Sequence, residues 1–253
     1  MTDRPAAHDG HVAEELRAEL HGLGVVSLTL PAPRARRSPP GVRDHLAMLS
    51  TRFRGADALA LRQRPVPHAY RVCFRHVGLD PDATHTPIEA AAIERLVQGG
   101  FVSRGLLDDA LTIALVETGV PIWALDADAV RGELGLRLAR SDERLGGEEG
   151  LPLPAGQIVV ADSCVPLAPL FGEPATTAVP TRRTRHLTLF AVRVDGVPRV
   201  HVAEALWQCA DALAAADDEK GRGMLAGLVP SDESMVDELH AERRREAARE
   251  DRE

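Results

Sequence analysis

Pro121-Ile-Trp-Ala-Leu-Asp126, Gly132-Glu-Leu-Gly-Leu-Arg-Leu-Ala139, Gln157-Ile-Val-Val-Ala-Asp162 and Thr184-Arg-His-Leu-Thr-Leu-Phe190 follow one another within residues 107–194. Each is a short apolar run bounded by turn formers, the pattern of a strand. Strands are predicted at 122–125, 133–138, 158–161, 165–167 and 187–194. Asp126, Gly132, the loop 146–154, Gly172-Glu173-Pro174 and Asp195-Gly196 separate them. In the second run Glu133, Gly135 and Arg137 alternate with Leu134, Leu136 and Leu138, so one face is polar.

Helical periodicity surrounds this strand-rich middle. A helix over 12–23 carries Leu16, Leu20 and Leu23, and Gly24 ends it before a strand at 25–30. Helices follow at 42–53 and 69–77. Thr86-Pro87-Ile88-Glu89 is a capping box with proline at the first helical position. Ile88, Ala91, Ala92, Leu96 and Val97 are expected to face the core, and Gly99-Gly100 to stop that helix. The run 106–117 is apolar around most of its circumference and reads as a buried helix. A last amphipathic helix spans 201–216, with Val202, Leu206, Cys209 and Leu213 on one stripe. Residues 217–222 are expected to break it, and 231–249 to form a polar terminal helix. Residues 1–10 read as disordered. Helices, then strands, then helices give an α+β fold.

Composition narrows the function. The chain has 253 residues, enough for a sizeable core, with 44 % hydrophobic but only 3 % aromatic residues. Its formal charge is −8, of which −5 falls in residues 217–253. This argues against a protein that coats DNA or other nucleic acid by charge alone, whereas a local basic face is still open. Cys73, Cys164 and Cys209 lie far apart, without metal-ligand spacing. Three sparse cysteines, no secretory leader and no long apolar run fit a cytoplasmic protein that does not span a membrane. Neither a nucleophile elbow nor a glycine-rich phosphate cradle is present, so no metal and no cofactor is expected.

The residues that carry chemistry have two readings each. Asp126 caps a turn or faces a pocket. Trp123 fills the core or offers a stacking face to a ligand. Arg137 is solvated or holds a phosphate or carboxylate. Asp162 forms a turn at a strand end or points into a cleft. The clusters Arg34, Arg36, Arg37 and Arg182, Arg183, Arg185 are solvated loops or phosphate contacts.

The four runs in this order resemble the B3/B4 domain of the phenylalanyl-tRNA synthetase β subunit and its free-standing relatives. Tyr70-Arg-Val-Cys-Phe-Arg75 and Leu79-Asp-Pro81 extend the likeness, which is best over 68–194. The resemblance implies a three-layer α+β domain over 12–216, with a central β-sandwich flanked by helices, and a charged tail over 217–253. It implies a free-standing protein that binds aminoacyl-tRNA and hydrolyses mischarged aminoacyl-tRNA in trans. No room remains for the modules that charge tRNA. The implied catalytic residues are Asp162, Glu173 and Thr184. The implied substrate-binding residues are Trp123, Asp126, Arg137, Arg182, Arg183 and Arg185. Two departures stand out. Trp123 occupies a place where the synthetases carry histidine, and the family glutamate position falls near Ala178. They support an alternative, a binding module for tRNA, an amino acid or another small ligand that does not hydrolyse.

Overall fold

The computed structural model describes residues 4–53, 55 and 60–226. The predicted terminal helix at 231–249 lies outside the described residues. The strands are β1 (His8–Asp9), β2 (His11–Val12), β3 (Gly24–Pro31), β4 (Trp123–Asp126), β5 (Gly135–Leu138), β6 (Ile158–Ala161), β7 (Pro166–Pro169) and β8 (His186–Arg193). The α-helices among the described residues are α1 (Glu14–Glu19), α2 (Pro40–Arg52), α3 (Pro65–His76), α4 (Pro87–Gln98), α5 (Leu106–Thr118) and α6 (Arg199–Ala226).

The fold is α+β, with two four-stranded sheets. The first has the order β1-β3-β8-β4 and is antiparallel throughout. The second has the order β2-β5-β6-β7, with β2 parallel to β5 and the other pairs antiparallel. β8 is the centre of the first sheet. Its Leu187–Val192 are all buried, because α6 packs on β3 and β8 while the second sheet meets β3 from β2 and β5. A strand covered on both faces loses the polar alternation of a half-exposed one.

Residues 8–12 are ordered, contrary to the reading of 1–10 as disordered, and they stitch the sheets together. The Gly10 N–H donates to Val25 O at 2.8 Å in the first sheet, and the His11 N–H donates to Leu134 O at 3.1 Å in the second. A Cβ on Gly10 would overlap the Leu134 carbonyl, so only glycine lets the chain cross here.

The capping box forms as the sequence reading has it. Glu89 accepts from the Thr86 N–H at 3.2 Å and its hydroxyl at 2.8 Å. Buried Arg71 donates to Glu89 and, at 2.8 Å, to Asp82, so the α4 start is fixed to α3 by charge as well as by packing. Leu96 and Val97 do not face the core; they are 45 % and 81 % exposed. Only the first turns of α4, through Ile88 and Ala92, reach the interior. α6 continues through 217–222, where a break is expected, and its stripe Val202, Leu206, Cys209 and Leu213 is buried.

Candidate functional site

β4 ends at Asp126, and its next three residues, Ala127–Ala129, form one 3-10 turn. The Asp126 carboxylate has two jobs. Its Oδ1 accepts from the Asp128 N–H at 3.1 Å, and its Oδ2 accepts from the Thr184 hydroxyl at 2.6 Å. The Thr184 Oγ1 in turn accepts from the Thr181 N–H at 2.8 Å. Pairing of β4 with β8, Asp126 opposite Leu187, brings these distant residues to the same end of the sheet. Asp126 is thus the turn cap of one reading, and it also holds the loop that carries the arginines.

A cavity of about 370 Å³ opens beside this turn, within the size range of small-ligand sites. Asp128 and Arg131 line it from the β4–β5 connection, Asp162 and Cys164 from the end of β6, and Thr177 and Ala178 from the segment before β8. Asp162 is 8 % exposed and fully committed. Its Oδ2 accepts from the Arg131 N–H at 2.8 Å, and its Oδ1 accepts from the N–H groups of Cys164 at 2.7 Å and Val165 at 2.8 Å. It shapes the cavity by fastening two loops.

The exposed side chains on this wall are Asp128, Arg131, Cys164 and Thr177, whose hydroxyl donates to Gly146 O at 3.3 Å. Neither the Asp128 carboxylate nor the Arg131 guanidinium has a hydrogen-bond or ion-pair partner among the described residues. Sequence reasoning passes over both, because charges in a turn look like ordinary solvated residues. The signal that could find them is their position in the six residues 126–131, directly after the strand already singled out.

The other expected site residues lie elsewhere. Glu173 is exposed and outside the cavity wall. Trp123 stacks on Phe190 with centroids 5.6 Å apart and leans on Phe171 at 6.5 Å. Phe171 also stacks on Phe74 at 4.8 Å and meets Tyr70 edge-on at 5.9 Å. Five of the eight aromatic residues therefore form one cluster, with Trp123 half-buried at its edge. Arg137 is engaged by Glu143, donating from its two terminal nitrogens at 2.7 and 2.6 Å. The Arg137 guanidinium holds the Glu143 carboxyl below its usual range against the opposing effect of burial. Arg182, Arg183 and Arg185 are exposed, and their guanidinium groups have no partner among the described residues.

A larger groove of about 500 Å³, between α1, α3 and the turn after β8, contains none of the expected site residues. Among the described residues no group of three or more His, Cys, Asp or Glu is arranged to hold a metal ion. No helix among them is long and apolar enough to cross a membrane.

No family model matches the chain. Part of it is similar to curated proteins named phenylalanine–tRNA ligase beta subunit. That of Xylella fastidiosa (strain Temecula1) is 39 % identical over 93 residues, 36 % of this chain and 11 % of the relative. That of Xanthomonas campestris pv. campestris (strain 8004) is 34 % identical over 155 residues, 59 % of this chain and 18 % of the relative. The matched part is 9 % of the length of the Psychrobacter arcticus protein, at 35 % identity over 71 residues. The chain thus spans less than a fifth of each of these relatives. It contains a region similar to a portion of the phenylalanyl-tRNA synthetase β subunit.

Proposed function

We propose that the chain is a B3/B4-like protein that binds aminoacyl-tRNA and hydrolyses the ester of mischarged tRNA in trans, with the ester seated in the 370 Å³ cavity. One observation carries this reading. Ala178, where the resemblance places a glutamate, lies in the wall of that cavity beside Asp162 and the turn that Asp126 caps. The partial likeness to the synthetase β subunit supports the same class of substrate.

In this reading a water attacks the ester carbonyl, the bond to the ribose oxygen breaks, and that oxygen leaves as a hydroxyl. Asp128 is the unpaired carboxylate available to orient the water, receive its proton and pass that proton to the leaving ribose oxygen. Arg131 is the cation available to the developing oxyanion. Asp162 and the Asp126–Thr184 pair act as positioning residues, and Arg182, Arg183 and Arg185 hold the tRNA.

The second reading, a binding module without hydrolysis, is favoured by Ala178 itself, which supplies no carboxylate, and by Trp123 in place of the family histidine. The test incubates the full chain with tRNAs charged with non-cognate amino acids and follows ester loss. Acceleration over the spontaneous rate that drops at least tenfold in Asp128→Asn supports hydrolysis. No acceleration with any charged tRNA overturns it. Salt-sensitive retention of the charged tRNA in that case supports the binding module.

A further inference from the structure

We propose that the loops 32–39 and 180–185 form one composite arginine surface that holds the sugar–phosphate backbone of an RNA strand. The proposal deepens the preceding reading and rests on it for the choice of RNA. The two basic clusters are far apart in sequence, and the fold joins them. β3 and β8 pair along their whole length, with Pro31 opposite His186, so the end of one and the start of the other share an edge. The ladder continues one step further, where the Ala32 N–H donates to Arg185 O at 2.8 Å. Arg36 then reaches across 145 positions and donates to Thr181 O at 3.1 Å.

The first loop is held in place from behind. The Leu106 N–H donates to Arg36 O at 3.0 Å, and the Ser38 hydroxyl donates to buried Asp109. Gly105, at φ +147°, has no Cβ to press on the Arg36 carbonyl. The second loop is held by Thr184, through Thr181 on one side and Asp126 on the other. A continuous series of hydrogen bonds, Arg36 to Thr181 to Thr184 to Asp126, therefore connects the arginine surface with the turn that walls the cavity.

Arg34, Arg36, Arg37, Arg182, Arg183 and Arg185 are all exposed, and none forms an ion pair among the described residues. Residues 31–43 and 174–194 contain no acidic residue. Six like charges within two adjoining loops repel one another, in a chain whose formal charge is −8. A polyanion relieves that repulsion and releases its own counterions, whereas a single small anion would engage one or two guanidinium groups. Spreading the charge over two loops suits a strand with successive phosphates.

The experiment measures binding of the full chain to uncharged tRNA, single-stranded RNA and duplex DNA by fluorescence anisotropy across a salt series. Arg34→Ser with Arg37→Ser leaves the Arg36–Thr181 bridge intact. Arg182→Ser with Arg183→Ser and Arg185→Ser alters the other loop. Each set is expected to weaken tRNA binding about tenfold and to flatten the salt slope by roughly 0.7–0.9 for each phosphate that is no longer neutralised. Thermal melting, unchanged in both, shows that the fold is intact. Absence of tRNA binding overturns the proposal. So does binding that ignores the Arg34/Arg37 pair, because the surface is then not composite. Duplex DNA binding as tight as tRNA overturns the assignment to RNA. Ester loss in the wild-type chain is scored separately, so a protein that binds RNA through these arginines without hydrolysing upholds this inference while the deacylase reading fails.

Discussion

The Thr184 hydroxyl donates to Asp126 Oδ2 at 2.6 Å and so ties the entry of β8 to the exit of β4. Both residues come from the runs that name the family resemblance, and neither has an interaction partner for its side chain in its own run. Thr184→Val keeps the shape and removes the hydroxyl, leaving Asp126 Oδ2 and the Thr181 N–H without that partner. The expected loss of stability is about 1–3 kcal/mol, with Thr184→Ser close to wild type. Chemical denaturation of the three proteins checks it; a Thr184→Val midpoint equal to wild type would refute the role.

The three thiols differ in access. Burial pushes the Cys73 thiol up to about 11 and the Cys209 thiol up to about 12, whereas Cys164 is exposed on the cavity wall. Iodoacetamide at pH 8 is expected to modify one cysteine in the native protein and all three in denaturant. Mass spectrometry gives the count and the position. Modification at Cys164 is also expected to suppress any ester hydrolysis, because the adduct occupies the proposed ester cavity.

How much of this was legible in the sequence depends on the length of the repeating signal. β6 occupies 158–161 as read, and the stripe Val202, Leu206, Cys209 and Leu213 is buried as read, because each is a long or clean pattern. β1 and β2 have two residues each and cannot show a period. Leu96 and Val97 follow the helical spacing of Ile88 and Ala92, yet tertiary packing reaches only the first half of α4. In the site, the family resemblance points to Asp126, Asp162 and Thr184 but not to their partners. Arg137 reads as a free cation because Glu143 lies in a loop six residues on, where no periodicity pairs them.

That Arg137–Glu143 pair sets a pH dependence. The folded-state pKa of Glu143 is depressed by the two Arg137 bonds and by the Arg140 N–H, which donates at 2.9 Å. A depressed carboxylate contributes stability that is fully present above its unfolded value, and that is lost as pH falls through the folded value. Glu143→Gln is therefore expected to lose about 1–3 kcal/mol at pH 7, with the gap to wild type closing below about pH 4. A constant gap from pH 7 to pH 3 would show that the pair contributes nothing through its charge.

Asp109, 2 % exposed, accepts from the hydroxyls of Ser38 and Ser103 and from the Arg104 N–H at 2.9 Å. It is the point where α5 holds the Arg34–Arg37 loop. Asp109→Ala removes the acceptor shared by three donors and leaves the buried Ser38 hydroxyl without it, at an expected cost of about 2–3 kcal/mol. Ser38→Ala removes only one donor and is expected to cost about 1 kcal/mol. Calorimetric melting orders the two variants, and a Ser38→Ala protein less stable than Asp109→Ala would contradict this arrangement.

Phe171 sits at φ +60°, a conformation strained for an aromatic residue, and its ring is stacked on Phe74 and leans on Trp123. The backbone strain costs about 1–3 kcal/mol and persists because the ring contacts offset it. Phe171→Gly relieves the strain but removes the ring, so its expected net cost is about 1–3 kcal/mol, against about 3–5 kcal/mol for Phe171→Ala, which keeps the strain. That order reverses the usual penalty of glycine relative to alanine. Trp123→Ala tests the same cluster from the β4 side. Combined with Phe171→Ala it is expected to show a coupling of about 0.5–1.5 kcal/mol in a double-mutant cycle, since each ring packs against the other. Additive effects of the two substitutions would mean that Trp123 stands on Phe190 alone, and that the Phe171 loop is free to move without it.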